Sequence, residues 1–391
     1  MMGEILRPRG PLACIVGARP NYMKMAPLVR AFARRPGLPG VVLIHTGQHY
    51  DAAMNERLFA GLGMPAPDLN LEVGSGTHAV QTAEIMRRFE PVLDDLAPSC
   101  VIVVGDVNST LACSLVASKK QTPVVHVEAG LRSFDRAMPE EINRLLTDQI
   151  ADRLYTTEEA AGDQLRREGV APERICFAGN VMIDSLNEHR TQAIPPAATL
   201  AQAGVPPGFL DGAPGFGVVT LHRPSNVDTP TSLHEALLLL CDVALRVPLI
   251  WPVHPRTQAN IERFGFARRI AEARIALLPP QGYLEMLGLL ANAQVVLTDS
   301  GGIQEETTAL AVPCLTMREN TERPITIQAG TNTLVGRDRV LALACVDEVL
   351  STGGKRGRIP ALWDGHASTR IAADLDTWLA ARALDDARIK A

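Results

Sequence analysis

The sequence contains 391 residues with a formal net charge of −5, and 46% of its residues are apolar, 21% charged and 4% aromatic. This length exceeds one ordinary hydrophobic core and predicts two domains, while the slight acidity and the few aromatic residues argue against nucleic acid as a partner. No apolar run approaches the about 18 residues of a membrane span, and residues 1–11 lack the apolar segment of a signal peptide. Seven scattered cysteines without a C-x-x-C pair are typical of reduced thiols, so we expect a cytoplasmic protein that does not bind membranes.

Residues 1–190 alternate between strand-like and helix-like patterns. Apolar runs predict strands over 12–16, 41–45, 101–104, 124–127, 153–155 and 175–178. Helical periodicity predicts helices over 22–34, 52–62, 80–96, 110–118, 140–151 and 159–168. Continuous apolar strands separated by helices are typical of a parallel sheet that is covered on both faces.

Residues 191–215 are rich in Pro, Ala and Gly and predict a linker, after which the alternation restarts. The pattern predicts strands over 218–221, 249–253, 275–278, 295–298 and 314–317, and helices over 233–245, 259–269, 283–291, 303–310 and 340–350. A long amphipathic helix, 366–391, is expected to pack back on the first domain. The fold class is therefore α/β, with two doubly wound Rossmann-like domains, 1–190 and 216–365, facing a central cleft where ligands would meet the carboxyl ends of the strands.

The stretch from Thr298 to Glu306 predicts a strand, a tight turn and the start of a helix. Asp299 or Ser300 would cap the helix, and Gly301 and Gly302 would let another molecule approach the backbone. The free N–H groups at the helix start favour an anion such as a diphosphate. Glu305 and Glu306 are expected in the first turn, where they either stabilise the helix dipole or, in the case of Glu306, accept hydrogen bonds from a ribose.

Three carboxylates follow predicted strands or open a helix in the first domain. Asp106 follows the strand 101–104 and could be a helix cap. Glu140 opens a helix after Pro139, where dipole stabilisation is the alternative role. Glu128 ends an apolar strand and has no capping role to explain it. If the three side chains reach one crevice, burial and mutual repulsion would raise at least one pKa, as acid/base catalysis requires, and Arg132 or Arg144 could hold them in place.

Cations and polar loops occupy other predicted strand ends. Arg19 and Lys24 either contact a phosphate or the reacting sugar, or are solvated cations of a loop. The loop that contains Gln48 and His49 is either a binding loop or a plain surface turn. In the second domain, His222 could contact a phosphate or take a proton, a structural histidine being the alternative. Arg223, His254 and Arg323 also follow predicted strands, and Arg323 is a further candidate for an anion contact.

Two kinds of cofactor site are not expected. Residues 74–79 resemble half of a dinucleotide-binding fingerprint, but they do not follow the first strand and lack an acidic residue at the end of the next one. The sequence contains no Cys/His cluster with zinc spacing, no H-E-x-x-H and no Walker A loop. We therefore predict neither a coenzyme nor a metal.

Taken in order, the motifs resemble those of the non-hydrolysing UDP-N-acetylglucosamine 2-epimerases over nearly the whole chain. The matching segments are Gly17-Ala18-Arg19-Pro20, Lys24-Met25-Ala26-Pro27-Leu28, Gly105-Asp106, His126-Val127-Glu128-Ala129-Gly130-Leu131-Arg132, Pro139-Glu140-Glu141-Ile142-Asn143-Arg144, Gly179-Asn180, His222-Arg223, Asp299-Ser300-Gly301-Gly302-Ile303-Gln304-Glu305-Glu306 and Thr321-Glu322-Arg323-Pro324. The resemblance implies a GT-B fold, a homodimer, and reversible conversion of UDP-GlcNAc to UDP-ManNAc without metal or nicotinamide. In that reaction UDP is eliminated to leave 2-acetamidoglucal and then adds back.

The resemblance also assigns roles to residues. It implies that Asp106, Glu128 and Glu140 are the acid/base carboxylates and that His222 contacts the departing UDP. The residues that it places on UDP and the sugar are Arg19, Lys24, Gln281, Ser300, Gly301, Gly302, Glu306 and Arg323.

Three departures from the family pattern affect what the resemblance predicts. Met286 stands where many relatives have an aromatic residue beside the uracil. Pro224 follows Arg223, and Tyr50-Asp51 follows His49, whereas many relatives have other residues there. Gln48, His49, Arg223 and His254 are the candidates for an allosteric UDP-GlcNAc site, and these departures leave allosteric activation open. Other readings are an epimerase of a UDP-2,3-diacetamido hexose, a hydrolysing epimerase that releases ManNAc, a GT-B glycosyltransferase and a silent UDP-sugar-binding protein.

Overall fold

The computed structural model describes residues 10–47 and 64–390, apart from the side chains of Arg19 and of residues 385–390. The chain forms two compact units, of which unit 1 comprises Met1–Ser185 and Ala361–Ala391 and unit 2 comprises Leu186–Pro360. Each unit contains one parallel β-sheet with helices between its strands. The predicted helix over 52–62 and the loop with Gln48 and His49 lie outside the described residues.

Unit 1 is built on a seven-stranded sheet with the strand order β3-β2-β1-β4-β5-β6-β7. Its strands are β1 (Leu12–Val16), β2 (Val41–His45), β3 (Leu69–Asn70), β4 (Cys100–Val104), β5 (Val124–Ala129), β6 (Arg153–Thr156) and β7 (Ile175–Phe177). The helices up to the boundary are α1 (Arg19–Ala33), α2 (His78–Leu96), α3 (Asn108–Lys119), α4 (Pro139–Ile150), α5 (Glu159–Arg167) and α6 (Val181–His189), and the boundary falls within α6. Every residue of β1, β4 and β5 is buried, as the continuous apolar runs predict.

Unit 2 repeats the same plan with six strands in the order β10-β9-β8-β11-β12-β13. The strands are β8 (Gly217–Thr220), β9 (Leu249–Pro252), β10 (Ile275–Leu278), β11 (Val295–Thr298), β12 (Cys314–Thr316) and β13 (Asn332–Leu334). The helices are α7 (Pro196–Gln202), α8 (Pro224–Val227), α9 (Pro230–Ala244), α10 (Pro255–Arg263), α11 (Ala267–Ala271), α12 (Tyr283–Ala291), α13 (Gly301–Leu310), α14 (Pro324–Gln328) and α15 (Arg339–Thr352). Alternate residues of β11 enter two separate apolar clusters, since Val295 and Leu297 belong to one and Val296 to the other. The sheet is therefore covered on both faces.

Strand order reverses at one point in each sheet. In unit 1 the reversal lies between β1 and β4, and in unit 2 it lies between β8 and β11. The chain leaves these neighbouring strands toward opposite faces, which opens a crevice at their carboxyl ends, and ligands bind there in doubly wound sheets. Asn21, Lys24 and Asp106 follow the strands of the first reversal, whereas His222 and Asp299 follow those of the second.

Helix α16 (Ala367–Lys390) returns the chain to unit 1. The Asp184 carboxylate accepts hydrogen bonds from the N–H groups of Ala367 and Ser368 at 3.1 and 2.7 Å, which satisfies donors at the start of the helix. Farther along the helix, Asp374 accepts from Arg153 Nε and from the Tyr155 hydroxyl, both at 2.8 Å. The helix is thus fixed to strand β6 and to helix α6.

Two parts of unit 2 differ from the sequence prediction. Residues 191–215, predicted as a linker, belong to unit 2, because Leu200 is buried in an apolar cluster against which Phe209 and Leu210 pack. The single helix predicted over 259–269 is two helices, α10 and α11. Gly265, with a φ of +75°, separates them, since the left-handed conformation ends a helix.

The described residues include no helix that is both long enough and apolar enough to cross a lipid bilayer.

Candidate functional site

In unit 1, the carboxyl ends of β4 and β5 bring Asp106 and Glu128 to neighbouring positions. Val104 is paired with Val127 across the two strands, and the Gly105 N–H donates to the Val127 carbonyl at 3.1 Å. Gly105 has a φ of +71°, and a Cβ atom there would lie 3.3 Å from both Glu128 Oε2 and Lys24 Nζ. The turn before Asp106 therefore requires glycine for its conformation and for the space that two charged side chains occupy.

We expect Gly105→Ala to lower both stability and activity. The left-handed conformation costs an alanine about 1–2 kcal/mol, and the new methyl group would press on the Glu128–Lys24 pair. Gly169→Ala is the matched control, because Gly169 has a φ of +85° and open space around its Cβ position among the described residues. The midpoint temperature of thermal unfolding should fall by a similar amount in both variants, but only Gly105→Ala should lose turnover. Equal turnover in the two variants would contradict the importance of this contact.

Glu128 forms a buried ion pair with Lys24. Its Oε2 accepts from Lys24 Nζ, and only 4% of the residue is exposed. Glu128 has a φ of +71°, rare for a residue with a side chain, and the pairing of β5 with β6 shifts register between Val127 and Ala129. Such strain persists only where the surrounding structure enforces it, and it occurs often at functional sites.

Asp106 forms an ion pair with the buried Arg144 of helix α4. Arg144 Nη1 donates to Asp106 Oδ2, while its Nη2 and Nε donate to Glu141 Oε2 at 2.5 and 3.0 Å. Asn143 Nδ2 donates to the Asp106 carbonyl at 2.9 Å. Helix α4 thus holds Asp106 by both its side chain and its backbone. Glu140 is half-buried in the first turn of the same helix, one turn before Asn143 and Arg144.

The carboxylate of Glu141 is held in its ionised form. Burial alone would raise its pKa, but the Ser133 N–H and the Arg144 guanidinium outweigh burial and hold the pKa below its ordinary value. The sequence predicted that Arg132 or Arg144 holds the carboxylates in place. In the structure this residue is Arg144, because Arg132 pairs instead with Asp148 and Glu168 at 2.7 and 2.6 Å.

In unit 2, Asp299 anchors the loop that follows β8. Its carboxylate accepts from the N–H of His222 at 3.0 Å, the N–H of Arg223 at 2.9 Å and Asn226 Nδ2 at 3.1 Å. His222 Nδ1 lies 3.1 Å from Asp299 Oδ1. Burial would raise the Asp299 pKa, yet these donors, His222 foremost, hold it below its ordinary value. The expected helix cap is therefore wrong for Asp299, whose carboxylate is occupied by donors of another loop.

Helix α13 begins at Gly301, two residues after Asp299. Ser300 is its N-cap residue, but its side chain makes no capping hydrogen bond within the described part of the chain. Gly301 lies against Glu322, because a Cβ atom there would be 2.6 Å from Glu322 Oε1. The helix starts at Gly301, and so Glu305 and Glu306 lie in its second turn, not in the first as predicted. Dipole stabilisation at the first turn does not explain them.

The two glutamates of α13 have separate surroundings. Glu305 pairs with Arg323 at 2.9 Å. Glu306 lies beside Tyr283, whose pKa is raised by burial and further by the Glu306 carboxylate. Both glutamates are buried in the structure.

A family model described as UDP-N-acetylglucosamine 2-epimerase matches residues 31–376. The chain belongs to this epimerase family. It is 40% identical over 365 residues to the UDP-2,3-diacetamido-2,3-dideoxy-D-glucuronate 2-epimerase of Pseudomonas aeruginosa, covering 92% of this chain and 97% of the relative. It is also 40% identical over 364 residues to the UDP-N-acetylglucosamine 2-epimerase of Methanocaldococcus jannaschii, with the same two coverages.

Solved structures agree with the family assignment. The M. jannaschii UDP-GlcNAc 2-epimerase in complex with UDP-GlcNAc and UDP matches with a TM-score of 0.82 at 37% identity, over 94% of this chain and 99% of that one. The S. aureus MnaA–UDP structure matches with a TM-score of 0.81 at 28% identity, over 95% and 97%. The predicted family and the GT-B-like α/β fold are thereby confirmed, and the protein is an isomerase.

The remaining predicted residues of this epimerase, from the substrate site and from the possible allosteric site, either have surroundings of their own or lie beyond the described atoms. His254 caps helix α10, and its ring centroid is 5.7 Å from that of His222. Gln281 is exposed and donates to the Pro279 carbonyl at 2.7 Å, while Met286 packs, half-buried, against an apolar cluster. The Arg19 side chain, Gln48 and His49 lie outside the described residues.

Sequence reasoning missed the partners of the predicted residues in this epimerase. Lys24 was assigned to a phosphate or the sugar, and its pairing with Glu128 joins positions 104 residues apart. Glu141 and Arg144 are three residues apart on one helix, a spacing that could have revealed their contact. Within the described ranges, no group of three or more His, Cys, Asp or Glu residues could hold a metal ion.

Proposed function

We propose that the protein interconverts UDP-GlcNAc and UDP-ManNAc by inverting C2 of the sugar. The observation that carries the proposal is the buried Glu128–Lys24 pair beside the Asp106–Arg144 pair, at the strand reversal of unit 1. C2 inversion needs a group that removes a proton and a group that returns one on the other face. Carboxylates placed by cations in a partly dry site suit this proton transfer.

The proposed reaction has two balanced steps. In the first, a carboxylate takes the C2 proton, the C2–H electron pair forms the C1=C2 double bond of 2-acetamidoglucal, and the C1–O pair leaves with UDP. In the second, a UDP oxygen attacks C1, the C1=C2 double bond opens, and its electron pair takes a proton at C2 on the opposite face. Asp106, Glu128 and Glu140 supply the acid and base groups.

Unit 2 would bind the UDP portion. Ser300, Gly301 and Gly302 at the start of α13, where a helix N-terminus favours an anion, and the Arg323 cation suit a diphosphate. Glu306 would accept from the ribose, while Gln281 and Met286 would lie near the base. His222, oriented by Asp299, would donate to UDP as negative charge develops on it, and Arg19 and Lys24 would add positive charge.

A second substrate is supported by the comparisons. A relative that is 40% identical is named for a UDP-2,3-diacetamido sugar acid, and this identity equals that of the UDP-GlcNAc epimerase of M. jannaschii. The 2-acetamido group and C2 proton are common to both sugars, so the same carboxylates would act on either.

The proposal has three further parts. The protein is cytoplasmic, it forms a homodimer, and UDP-GlcNAc activates it through a site that contains Gln48, His49, Arg223 and His254.

Proton NMR of the purified protein with UDP-GlcNAc in D2O, without added metal or NAD, tests this function. We expect UDP-ManNAc to appear with deuterium at C2, because the proton that returns comes from solvent. Free ManNAc with UDP as the only products would instead show a hydrolysing epimerase. An unchanged spectrum would contradict UDP-GlcNAc as substrate, and the UDP-2,3-diacetamido sugar would then be tested in the same way.

A further inference from the structure

A chain of hydrogen bonds through uncharged side chains connects the start of helix α13 with the loop that precedes helix α14. Its central member, Gln304, lies at the end of the first turn of α13 and is fully buried. A buried amide requires hydrogen-bond partners, because burying it without them costs free energy. The partners of Gln304 come from two different segments of unit 2, since they are Ser300 and Thr321.

The chemistry of these partners gives the chain one direction. The Ser300 carbonyl oxygen only accepts hydrogen bonds, so the amide nitrogen of Gln304 faces it, at 3.2 Å. The amide oxygen then accepts from the Thr321 hydroxyl at 2.7 Å. The hydroxyl oxygen of Thr321 in turn accepts from the Arg323 N–H at 3.0 Å. The chain thus runs from the Arg323 N–H through Thr321 and Gln304 to the Ser300 carbonyl, and each donor in it meets an acceptor.

The Ser300 end of the chain supports the first hydrogen bond of α13. The backbone nitrogen of Gln304 lies 3.4 Å from the Ser300 carbonyl oxygen, which exceeds the usual range of about 2.7–3.2 Å. The side-chain amide of the same residue donates to the same oxygen at a shorter distance. Gln304 therefore holds the start of the helix through its backbone and its side chain together.

The Arg323 end is also held by neighbouring elements. Glu305, the residue after Gln304, pairs with Arg323 Nε at 2.9 Å. The Arg323 carbonyl accepts from the Thr326 hydroxyl at 2.7 Å, and the Thr326 hydroxyl oxygen accepts from Asn332 Nδ2 at 3.0 Å. The backbone and the guanidinium of Arg323 are thus both anchored, and the cation has a defined place relative to the start of α13.

Ser300 and Arg323, the two ends of the chain, are both proposed contacts of the diphosphate. An anion that contacts a helix start and a guanidinium together needs them at a fixed separation, because contacts of arginine with phosphate depend on geometry. A separation that is fixed before binding also lowers the cost of ordering these groups.

We propose that Gln304 and Thr321 are positioning residues, which hold Arg323 at the distance from the start of α13 that the diphosphate of UDP requires. This inference rests on the proposed function, because it takes the diphosphate site from there. It adds two uncharged residues that act on the substrate through Ser300 and Arg323.

Thr321→Val tests the inference, because valine keeps the size of the side chain but breaks the chain. We expect the UDP affinity, measured by calorimetry, to fall about tenfold, the scale of one hydrogen bond to a charged group. Uridine has the base and ribose of UDP but no phosphate, so its affinity, measured by NMR titration, should change less than about twofold. Equal losses for UDP and uridine would show a purely structural role, and an unchanged UDP affinity would also overturn the inference.

Two control variants show whether the hydroxyl at position 321 is the cause. Thr321→Ser keeps the hydroxyl and should retain the UDP affinity within about twofold. Thr333→Val makes the same change as Thr321→Val at a half-buried threonine of β13, and it should bind UDP as the wild type does. A loss in either control as large as in Thr321→Val would overturn the inference.

Gln304→Met breaks the same chain at its centre with a side chain of similar volume. The UDP affinity should fall at least as much as in Thr321→Val. The double variant should lose no more than Gln304→Met alone, because the two residues act as one unit. Fully additive losses would contradict one connected chain, and the Thr321 variants decide the matter if Gln304→Met does not fold.

The outcomes distinguish this inference from the proposed function. A wild-type protein that binds UDP but converts neither UDP-sugar would contradict the proposed reaction, while the comparison of UDP with uridine would still decide the role of Thr321. A wild-type protein that binds no UDP would contradict the proposed function and this inference with it. An active wild-type protein with unchanged UDP affinity in Thr321→Val would contradict this inference alone.

Discussion

Replacing Glu128 by glutamine should lower kcat by about 10²- to 10⁴-fold, the usual contribution of a general acid or base. Glutamine keeps the size of the side chain but cannot take a proton at neutral pH. Because most of the proposed UDP contacts lie in unit 2, and only Arg19 and Lys24 lie in unit 1, the UDP affinity should change far less than kcat. The measurement is the rate of deuterium entry at C2 by proton NMR, together with UDP affinity by calorimetry.

Glu159→Gln is the matched control for this variant, since it makes the same change at an exposed carboxylate of unit 1. Loss of the Glu128 charge leaves Lys24 buried without its anion, so part of the effect could be on stability. Comparing the thermal unfolding temperatures of the two variants measures the loss of stability separately from the loss of turnover. A folded Glu128→Gln protein with wild-type turnover would remove Glu128 from the proposed acid/base groups.

Replacing Asp299 by asparagine should lower kcat about 10²- to 10³-fold, the scale of losing one donor to a developing anion. The carboxylate accepts from two backbone N–H groups and Asn226 and lies 3.1 Å from His222 Nδ1. An amide offers one acceptor oxygen and turns an N–H group toward these donors. His222 would then lose the orientation that its proposed contact with UDP requires.

Asp299→Asn and His222→Gln should be non-additive, because the first acts through the second. The kcat of the double variant should therefore equal that of His222→Gln, and fully additive losses would contradict the positioning of His222 by Asp299.

The stability of the protein at low pH gives a second readout of the Asp299 contacts. The depressed pKa of Asp299 contributes stability that is present above its unfolded pKa of about 3.9 and is lost as the pH falls through the folded value. We therefore expect the free energy of unfolding of Asp299→Asn, measured by acid unfolding, to depend less on pH in this range than that of the wild type.

The regular elements were predictable because hydrophobic pattern determines them locally. The strands of both sheets read as continuous apolar runs since both faces are buried. Strands β3 and β13 were missed because they have two and three residues and neither carries such a run. Residues 191–215 have the composition of a linker, but contacts with Leu200 and Phe209 that sequence alone does not show order them in unit 2.

The sequence predicts which residues of the candidate site follow the strand ends. It does not predict the hydrogen bonds and ion pairs that these residues form. The rule that ligands meet the carboxyl ends of parallel strands found Asp106, Glu128 and His222. Local rules offered Asp299 or Ser300 as the helix cap, and Ser300 occupies the N-cap position. The donors to Asp299 come instead from residues about 75 positions earlier, in the loop after β8. Whether such a carboxylate caps, pairs or anchors is decided by tertiary contacts.

The return of the chain to unit 1 has a consequence for biosynthesis. Unit 2 is one continuous segment, whereas unit 1 needs helix α16, and a ribosome makes that helix after all of unit 2. Until then Asp184 lacks the N–H groups of Ala367 and Ser368, and the side chains of Arg153 and Tyr155 lack Asp374. At about 5–20 residues per second, the nascent N-terminal segment therefore lacks these contacts for about ten seconds or more, and unit 2 is the first of the two units whose whole sequence is available for folding.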